Sequence, residues 1–136
     1  MSIFRAMDVS GSGLSVQRVR MDTVAENIAN AETTRTVEGG PYRRLRVLMA
    51  AAASSGRDDS AGGVRLVGVA ADEGPLKQVY DPSHPDADED GYVQMPNVDI
   101  ASEMVDMVTA SRAYEANAKA LAMSRAMVRD AIDILT

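Results

Sequence analysis

Apolar residues near the start of the chain recur at alternating spacings of four and three. This is the spacing of a heptad repeat, which places one stripe of a helix against a partner helix. The stripe predicts a helix over residues 3–30, with Ser10 and Gln17 as its polar members. Gly11 and Gly13 lie in the helix interior, where each costs about 1 kcal/mol relative to alanine, so we expect this helix to be weakly stable alone. Its apolar members are expected to form an assembly seam: Ile3, Met7, Leu14, Met21, Val24 and Ile28.

The C-terminal part of the chain carries a longer stripe with the same spacing. It follows Pro96, with Asn97 or Asp99 as candidate helix caps and Glu103 favourably placed in the first turn. A helix that runs to the end of the chain would be on the order of 55 Å long, which is too long for a domain of this size to cover. The N-terminal helix is the intramolecular candidate to cover it. The seam residues expected here are Ile100, Met104, Met107, Tyr114, Leu121, Val128, Ile132 and Leu135.

Between the two helical stripes the pattern changes to alternation. Short runs rich in β-branched and aromatic residues, separated by turn residues, are typical of strands. Residues 50–63 are rich in Ala, Ser, Gly and Asp, which predicts a flexible excursion between the first two runs. The runs that predict strands are Leu45–Met49, Val64–Val69, Lys77–Tyr80 and Tyr92–Met95.

These patterns predict a fold that is mainly α with a small β-rich insert, in which the N- and C-terminal helices are paired as a coiled coil. Residues 1–37 and 96–136 form the two halves of a terminal-helix domain. Residues 38–95 form the insert. Both helices keep Ala- and Met-rich flanks beyond the stripe, so we expect further neighbours to cover them in an assembly.

Composition narrows the classes of function. Of the 136 residues, 46% are hydrophobic but only 4% are aromatic, which suits close helix packing better than a large core. The net charge of −6 argues against nucleic-acid binding. The chain has no Cys, no apolar run of membrane-spanning length and no signal-peptide pattern at its start, so we expect no thiol chemistry, no membrane insertion and no cleaved signal.

An acidic loop offers a candidate metal site. Asp86, Asp88, Asp90 and Gly91 match the opening of an EF-hand calcium loop. The match then fails, because Asn97 stands where the loop needs a bidentate Glu. A solvated turn without cofactor or metal is therefore the favoured interpretation, and a calcium-regulated binding module is the alternative.

The single histidine offers no active site. His84 lies between Ser83 and Pro85, and a metal or catalytic role would need partners at ligand spacing. The sequence contains no nucleophile with an evident base beside it, so we expect no enzymatic activity. The pattern favours a turn bounded by proline in which His84 makes a local hydrogen bond.

Four segments carry a resemblance to a known family. They are SGSGLSVQ near the start, NIANAET, PYRR, and the run VYDPSHPDADEDGYVQMPNVDIASEMVDMVTASRAYEAN, which ends at Asn117. The chain resembles the flagellar rod and hook axial proteins over most of its length, with residues 49–74 unmatched. The motif positions are Asn27, Asn30, Pro41, Tyr42, Asn97, Arg112, Tyr114 and Asn117.

The resemblance implies a structural subunit of the flagellar basal-body proximal rod. It implies assembly with other rod proteins and with copies of itself into a helical tube that transmits torque and forms part of the export channel. It also implies passage through the flagellar export apparatus and a final position in the periplasmic section of the rod.

Several motif residues have simpler interpretations. Asn27 and Asn30 lie where a helix ends, where Asn commonly terminates or caps it; the resemblance instead implies that NIANAET shapes a turn where subunits meet. Tyr114 fits the seam and is expected to pack there. Arg112 and Glu115 are one turn apart and could form a weak surface pair.

Overall fold

The computed structural model describes residues 3–53 and 62–135. Along the chain, a long helix is followed by four short strands and then by a second long helix. The predicted fold class, mainly α with a small β-rich insert, is confirmed. No helix within the described ranges combines the length and the apolarity needed to cross a membrane. The elements are α1 (Ile3–Ala29), β1 (Leu45–Ala51), β2 (Val64–Ala71), β3 (Lys77–Tyr80), β4 (Tyr92–Met95) and α2 (Ile100–Ile134).

The two helices pack along each other in antiparallel directions. Gly13 of α1 lies against Asn117 of α2, and Asn27 of α1 lies against Glu103 of α2. A Cβ atom at Gly13 would come within 2.9 Å of the Asn117 Nδ2 atom. Ala110 is fully buried at 0% exposure. Small residues at the contact therefore let the two backbones approach closely, and this is why a glycine that weakens the isolated helix is useful in the pair.

The residues buried in this contact form a stripe beside the predicted one. On α2 the buried residues are Glu103, Ala110 and Ser124, and their spacing is a multiple of seven. The seam residues that are buried or half-buried are Ile3, Met7, Leu14, Met21, Val24, Ile28, Met107, Tyr114, Leu121 and Val128. Those that are exposed are Ile100, Met104, Ile132 and Leu135. The role of the exposed members in assembly stays a prediction.

The helix ends are closed by local hydrogen bonds. At the end of α1, the Asn30 side chain donates to the Glu26 carbonyl at 3.0 Å and accepts from the Thr33 hydroxyl at 3.2 Å. At the start of α2, Asp99 occupies the cap position, and its carbonyl accepts from the Glu103 N–H at 2.9 Å. The Ser102 hydroxyl donates to the Asp99 carboxylate and lowers the pKa of that carboxyl. Of the two candidate caps, Asp99 holds the position.

The insert consists of two antiparallel hairpins. Strand β1 pairs with β2 through the register Leu45↔Ala71, with a bulge between Leu48 and Met49. Strand β3 pairs with β4, and Tyr80 contacts Tyr92 edge to face with ring centroids 5.3 Å apart. The strands predicted over 77–80 and 92–95 have the same bounds in the structure.

The segment predicted to be flexible, residues 50–63, is described only at its ends. Residues 54–61 lie outside the described part of the chain. Ala50 and Ala51 belong to β1, and the Ala52 N–H donates to the Gly63 carbonyl at 2.9 Å. The hairpin lies alongside α1, where the Val64 N–H donates to the Ser12 hydroxyl oxygen at 3.1 Å. Hydrogen bonds therefore continue into this segment from both strands.

Candidate functional site: the polar junction of helices and insert

A network of side-chain hydrogen bonds and ion pairs lies where the insert leaves the helix pair. Side chains from α1, from the segment just before β1, and from α2 and the segment before it meet there. We call this network the polar junction; its members are Arg20, Asn27, Tyr42, Arg44, Asn97, Glu103 and Asp106.

Asn27 lies at the centre of the polar junction with only 1% of its surface exposed. Its Nδ2 group donates to the Leu45 carbonyl at 2.9 Å and to the Glu103 carboxylate at 3.0 Å. Its Oδ1 atom accepts from the Leu45 N–H at 2.8 Å and from the Tyr42 hydroxyl at 2.9 Å. The amide thus has a partner for both donors and both lone pairs, as a buried amide requires. It joins α1 to the first residue of β1 as a neighbouring strand would, and does not cap its own helix.

Glu103 is the fully buried acid of the polar junction, with 0% exposure. Its Oε1 atom accepts a hydrogen bond from the Arg44 Nε group, while Oε2 accepts from Asn27. The bond to Glu103 is also the main cause that raises the pKa of Arg44. A buried carboxylate is tolerated only when it is paired and hydrogen bonded. Arg44 supplies the charge and Asn27 supplies the second bond.

Arg44 also contacts the next acidic turn of α2. Its Nη2 atom lies 3.2 Å from Asp106 Oδ2, and its Nη1 atom lies 3.9 Å from the Asp72 carboxylate. Arg20 of α1 reaches the other Asp106 oxygen at 3.3 Å. The two arginines are therefore surrounded by three acids. The charges come from α1, from the insert and from α2, and each positive group lies beside a negative one.

Asn97 holds the base of the insert on the opposite side. Its Oδ1 atom accepts from the Arg44 N–H at 2.8 Å, and its Nδ2 group donates to the Asp72 carbonyl at 3.3 Å. Asn97 was a candidate helix cap, but it performs this second strand-like contact instead. Consecutive residues of the strand base, Arg44 and Leu45, are thus each bonded by an asparagine side chain.

Tyr42 lies half-buried against Asn27. Burial, together with the negative charges of Glu26 and Glu103, raises the pKa of Tyr42 from its ordinary 10.0 to about 12. The neutral phenol is therefore strongly favoured, and its hydroxyl donates a hydrogen bond to Asn27 Oδ1.

A cleft of about 350 Å³ opens between α1 and β1 beside these groups, with Thr23, Val24, Val47 and Met49 on its apolar side. The polar side chains at its mouth are bonded to one another. The geometry is that of a structural contact that joins α1, the insert and α2.

The acidic loop is held by protein donors. Asp86 accepts from the Thr34 hydroxyl at 2.8 Å and also pairs with Arg35, and these contacts, led by the Thr34 bond, lower the pKa of Asp86. Asp88 Oδ1 accepts from the N–H groups of Asp90 at 3.0 Å and Tyr92 at 2.8 Å. Within residues 3–53 and 62–135, no group of three or more His, Cys, Asp or Glu side chains is placed to hold a metal ion. Nothing in this geometry favours the calcium alternative.

The prediction for His84 is confirmed. The His84 Nδ1 atom accepts a hydrogen bond from the Asp86 backbone N–H at 3.1 Å, and the His84 backbone N–H donates to the Asp81 carbonyl at 3.2 Å. The histidine is thus part of a local turn.

The remaining motif residues are spread over the molecule. Asn30 closes the end of α1, and Pro41 is half-buried just before Tyr42. Arg112 is exposed on α2, whereas Tyr114 and Asn117 are half-buried on it. The polar junction therefore brings together only Asn27, Tyr42 and Asn97 from the motif set. That Arg44, Glu103 and Asp106 are partners was not predicted from the sequence. The sequence did offer one signal: Glu103 lies at heptad spacing from Ala110 and Ser124, which are buried on the same face of α2.

A second candidate site is the exposed apolar surface of α2. Large apolar side chains on this helix are more than half exposed. Covering each of them would lower the free energy of the protein, because apolar surface would be removed from water. They extend over both halves of the helix: Met104, Val105, Val108, Met123, Met127, Ile132, Ile134 and Leu135.

Comparison with known proteins identifies the family. The family model described as "Flagella basal body rod protein" matches residues 7–35, and the one described as "Flagellar basal body rod FlgEFG protein C-terminal" matches residues 89–134. Together the two matches cover most of α1 with the turn that follows it, and α2 with the strand before it.

Full-length relatives extend the similarity through the insert. The chain is 43% identical to the flagellar basal-body rod protein FlgC of Borreliella burgdorferi over 99% of both chains. It is 40% identical to FlgC of Bacillus subtilis over 98% of this chain and 99% of that protein. It is 45% identical to FlgC of Aquifex aeolicus over 92% of this chain and 91% of that protein. The chain therefore belongs to the FlgC family of flagellar basal-body rod proteins, whose members are structural components and not enzymes.

Proposed function

We propose that this chain is a structural subunit of the proximal rod of the flagellar basal body, and that it assembles with other rod proteins and with copies of itself into a helical tube. The tube transmits torque and forms part of the export channel. The observation that carries the proposal is the 40–45% identity to three FlgC rod proteins over more than nine tenths of each chain.

The surface of α2 supports assembly through the terminal helices. Met104, Val105 and Val108 are each more than half exposed within the first third of α2, and Ile134 and Leu135 are 84% and 86% exposed at its end. A single chain gains nothing from these side chains, whereas a bundle of like subunits would bury them. Removal of their apolar surface should therefore impair assembly more than it impairs the folding of the chain.

The insert has a different part in the proposal. Residues 1–37 and 96–136 form the terminal-helix domain that builds the tube wall, and residues 38–95 form a projecting unit for lateral contacts. The exposed apolar residues of the first hairpin, Leu66, Val67 and Val69, support this division, since they too lack a cover in the single chain.

Location and delivery follow from the same assignment. The subunit occupies the periplasmic section of the rod and reaches it through the flagellar export apparatus. Contacts with that apparatus during secretion are transient and precede assembly.

Electron microscopy of basal bodies from a strain without this gene tests the role and the location together, with a complemented strain as the control. The proposal predicts that membrane rings remain, that the rod is missing, and that complementation restores both rod and motility. Complete rods and motile cells in the absence of the gene would refute it.

A further inference from the structure

A residue of neither helix takes part in the contact between α1 and α2. At the polar junction, α2 presents Glu103 and Asp106 toward α1. The only cation of α1 bonded to them is Arg20, which reaches Asp106 at 3.3 Å. Glu103, with 0% exposure, obtains its positive partner from Arg44, which lies in the insert just before β1.

We propose that Arg44 is a latch: the junction end of the helix pair closes only when the base of β1 is seated between the helices and brings this cation to Glu103. Without Arg44, closure of the helices would bury the Glu103 carboxylate with no opposite charge, and desolvation strongly opposes such burial. The insert therefore contributes to the formation of the helix pair and is more than a projection from it.

Several hydrogen bonds hold the backbone of Arg44 and of its neighbour Leu45 in position. The Arg44 N–H is bonded to Asn97 at 2.8 Å, and the Arg44 carbonyl accepts from the Asp72 N–H at 2.7 Å. The next residue, Leu45, is bonded to Asn27 through both its N–H and its carbonyl. Three residues, Asn97, Asp72 and Asn27, thus fix the backbone that carries the guanidinium, which is what a coupling between insert and helices requires.

Two distances between pairs of spin labels, measured by double electron–electron resonance, test the latch in the full chain. The sequence has no Cys, so introduced cysteines are the only sites of labelling. Ala25→Cys with Arg112→Cys reports on the junction end, and Arg18→Cys with Lys119→Cys reports on the same geometry displaced by one heptad. All four positions are exposed.

Arg44→Ala should broaden the distance distribution of the junction pair severalfold and change that of the displaced pair far less. Arg46→Ala is the matched control, because Arg46 is an exposed arginine two residues further along, in β1. Adding Glu103→Gln to Arg44→Ala should restore most of the narrow distribution, since the buried charge is then gone. A role of Arg44 in packing alone would not give this rescue.

The outcome is decisive even if Arg44→Ala fails to fold. A double variant that folds with a narrow junction distance supports the latch, because it identifies the buried charge as the cause. A double variant that stays unfolded, or an Arg44→Ala chain whose junction distance is as narrow as in the unchanged protein, overturns it. The latch concerns the single chain, so it can fail while the rod function stands.

Discussion

At the junction end of the helix pair, Asn27 and Glu103 are buried and every one of their side-chain polar atoms is bonded. At the distal end the situation is the reverse. Since Gly13 lies beside Asn117 and the helices are antiparallel, Ile3 lies about level with Met127, and the last two turns of α2 run past it. There Ile134 and Leu135 are 84% and 86% exposed.

We propose from this difference that the chain divides its surface between folding and assembly. At the junction, the buried polar groups of Asn27 and Glu103 are satisfied within the chain, where their partners are always present. Apolar side chains at the distal end, which any neighbouring apolar surface can cover, are exposed in the single chain. The junction end thus fixes the shape of the subunit, and the distal end remains available for contacts.

The largest predicted effect is at the junction. Asn27→Ala removes four hydrogen bonds and leaves Glu103 and the Leu45 backbone with unsatisfied buried groups, which should lower the free energy of unfolding by about 2–4 kcal/mol. Urea denaturation followed by circular dichroism measures this.

Asn30→Ala is the control from the same NIAN motif. Asn30 bonds only to Glu26 and Thr33 at the half-buried end of α1, so its loss should cost about 1 kcal/mol or less. Equal costs for the two asparagines would remove the contrast between a buried hub and a helix end.

A smaller effect distinguishes two glycines in the middle of α1. Gly11→Ala should stabilise the chain by about 0.5–1 kcal/mol, because nothing lies within 4 Å of the added Cβ and alanine favours the helix. Gly13→Ala gains the same propensity but pushes Asn117 away and strains its bond to the Ala113 carbonyl. We expect a net loss of about 1 kcal/mol.

Thermal denaturation of the two glycine variants side by side measures the difference. If both stabilise the chain, the helices are not in close contact at Gly13, and the register of the pair is wrong.

Alkaline pH gives a further test of the junction. The folded chain raises the pKa of Tyr42 from 10.0 to about 12, so the folded state holds a proton that the unfolded state releases in this range. The stabilising contribution is complete below pH 10 and is lost as the pH rises to about 12. Tyr42→Phe should be less stable by about 1 kcal/mol at neutral pH but should lose stability less steeply above about pH 10.

Urea denaturation of the unchanged chain and of Tyr42→Phe, compared at about pH 9 and about pH 11, isolates this contribution because Lys and Arg titrate equally in both. Parallel losses of stability would mean that Tyr42 is not enclosed near Glu103.

The smallest effect on folding is expected at the distal end. Ile134→Ser with Leu135→Ser should change the free energy of unfolding of the single chain by less than about 0.5 kcal/mol, because both side chains are already exposed. The same variant should reduce the restoration of motility in a strain without the gene.

Asp130→Ser, an exposed polar position on the same helix, is the control and should restore motility fully. A distal variant that destabilises the single chain by more than about 1 kcal/mol would show that this end is covered within the subunit.

Periodicity was sufficient to predict both helices and all four strands, because spacing of three and four or of two residues depends only on local geometry. It did not select the stripe that faces the partner helix. Apolar residues such as Met104 and Ile132 face outward, and small or polar ones such as Ala110 and Ser124 face inward. Hydrophobicity marks both kinds of contact, within and between subunits, and cannot separate them.

The polar junction could not be predicted for a different reason. Asn27, Arg44 and Glu103 are far apart in sequence, and each has an ordinary local interpretation as a helix terminator, a strand-edge charge or a first-turn acid. Their meeting depends on the antiparallel register of α1 and α2, which Gly13 and Asn117 help to set. The local turn at His84 was predicted correctly because its partners lie within three residues.

Hydrogen exchange of backbone amides in the full, dilute chain tests the contrast between the two ends most directly. The account predicts that the last turn of α1 and the first turns of α2 exchange slowest, and that the α2 amides beyond Val128 exchange fastest among the helical ones. Equal protection along the whole of α2, or faster exchange at the junction than at the distal end, would contradict it.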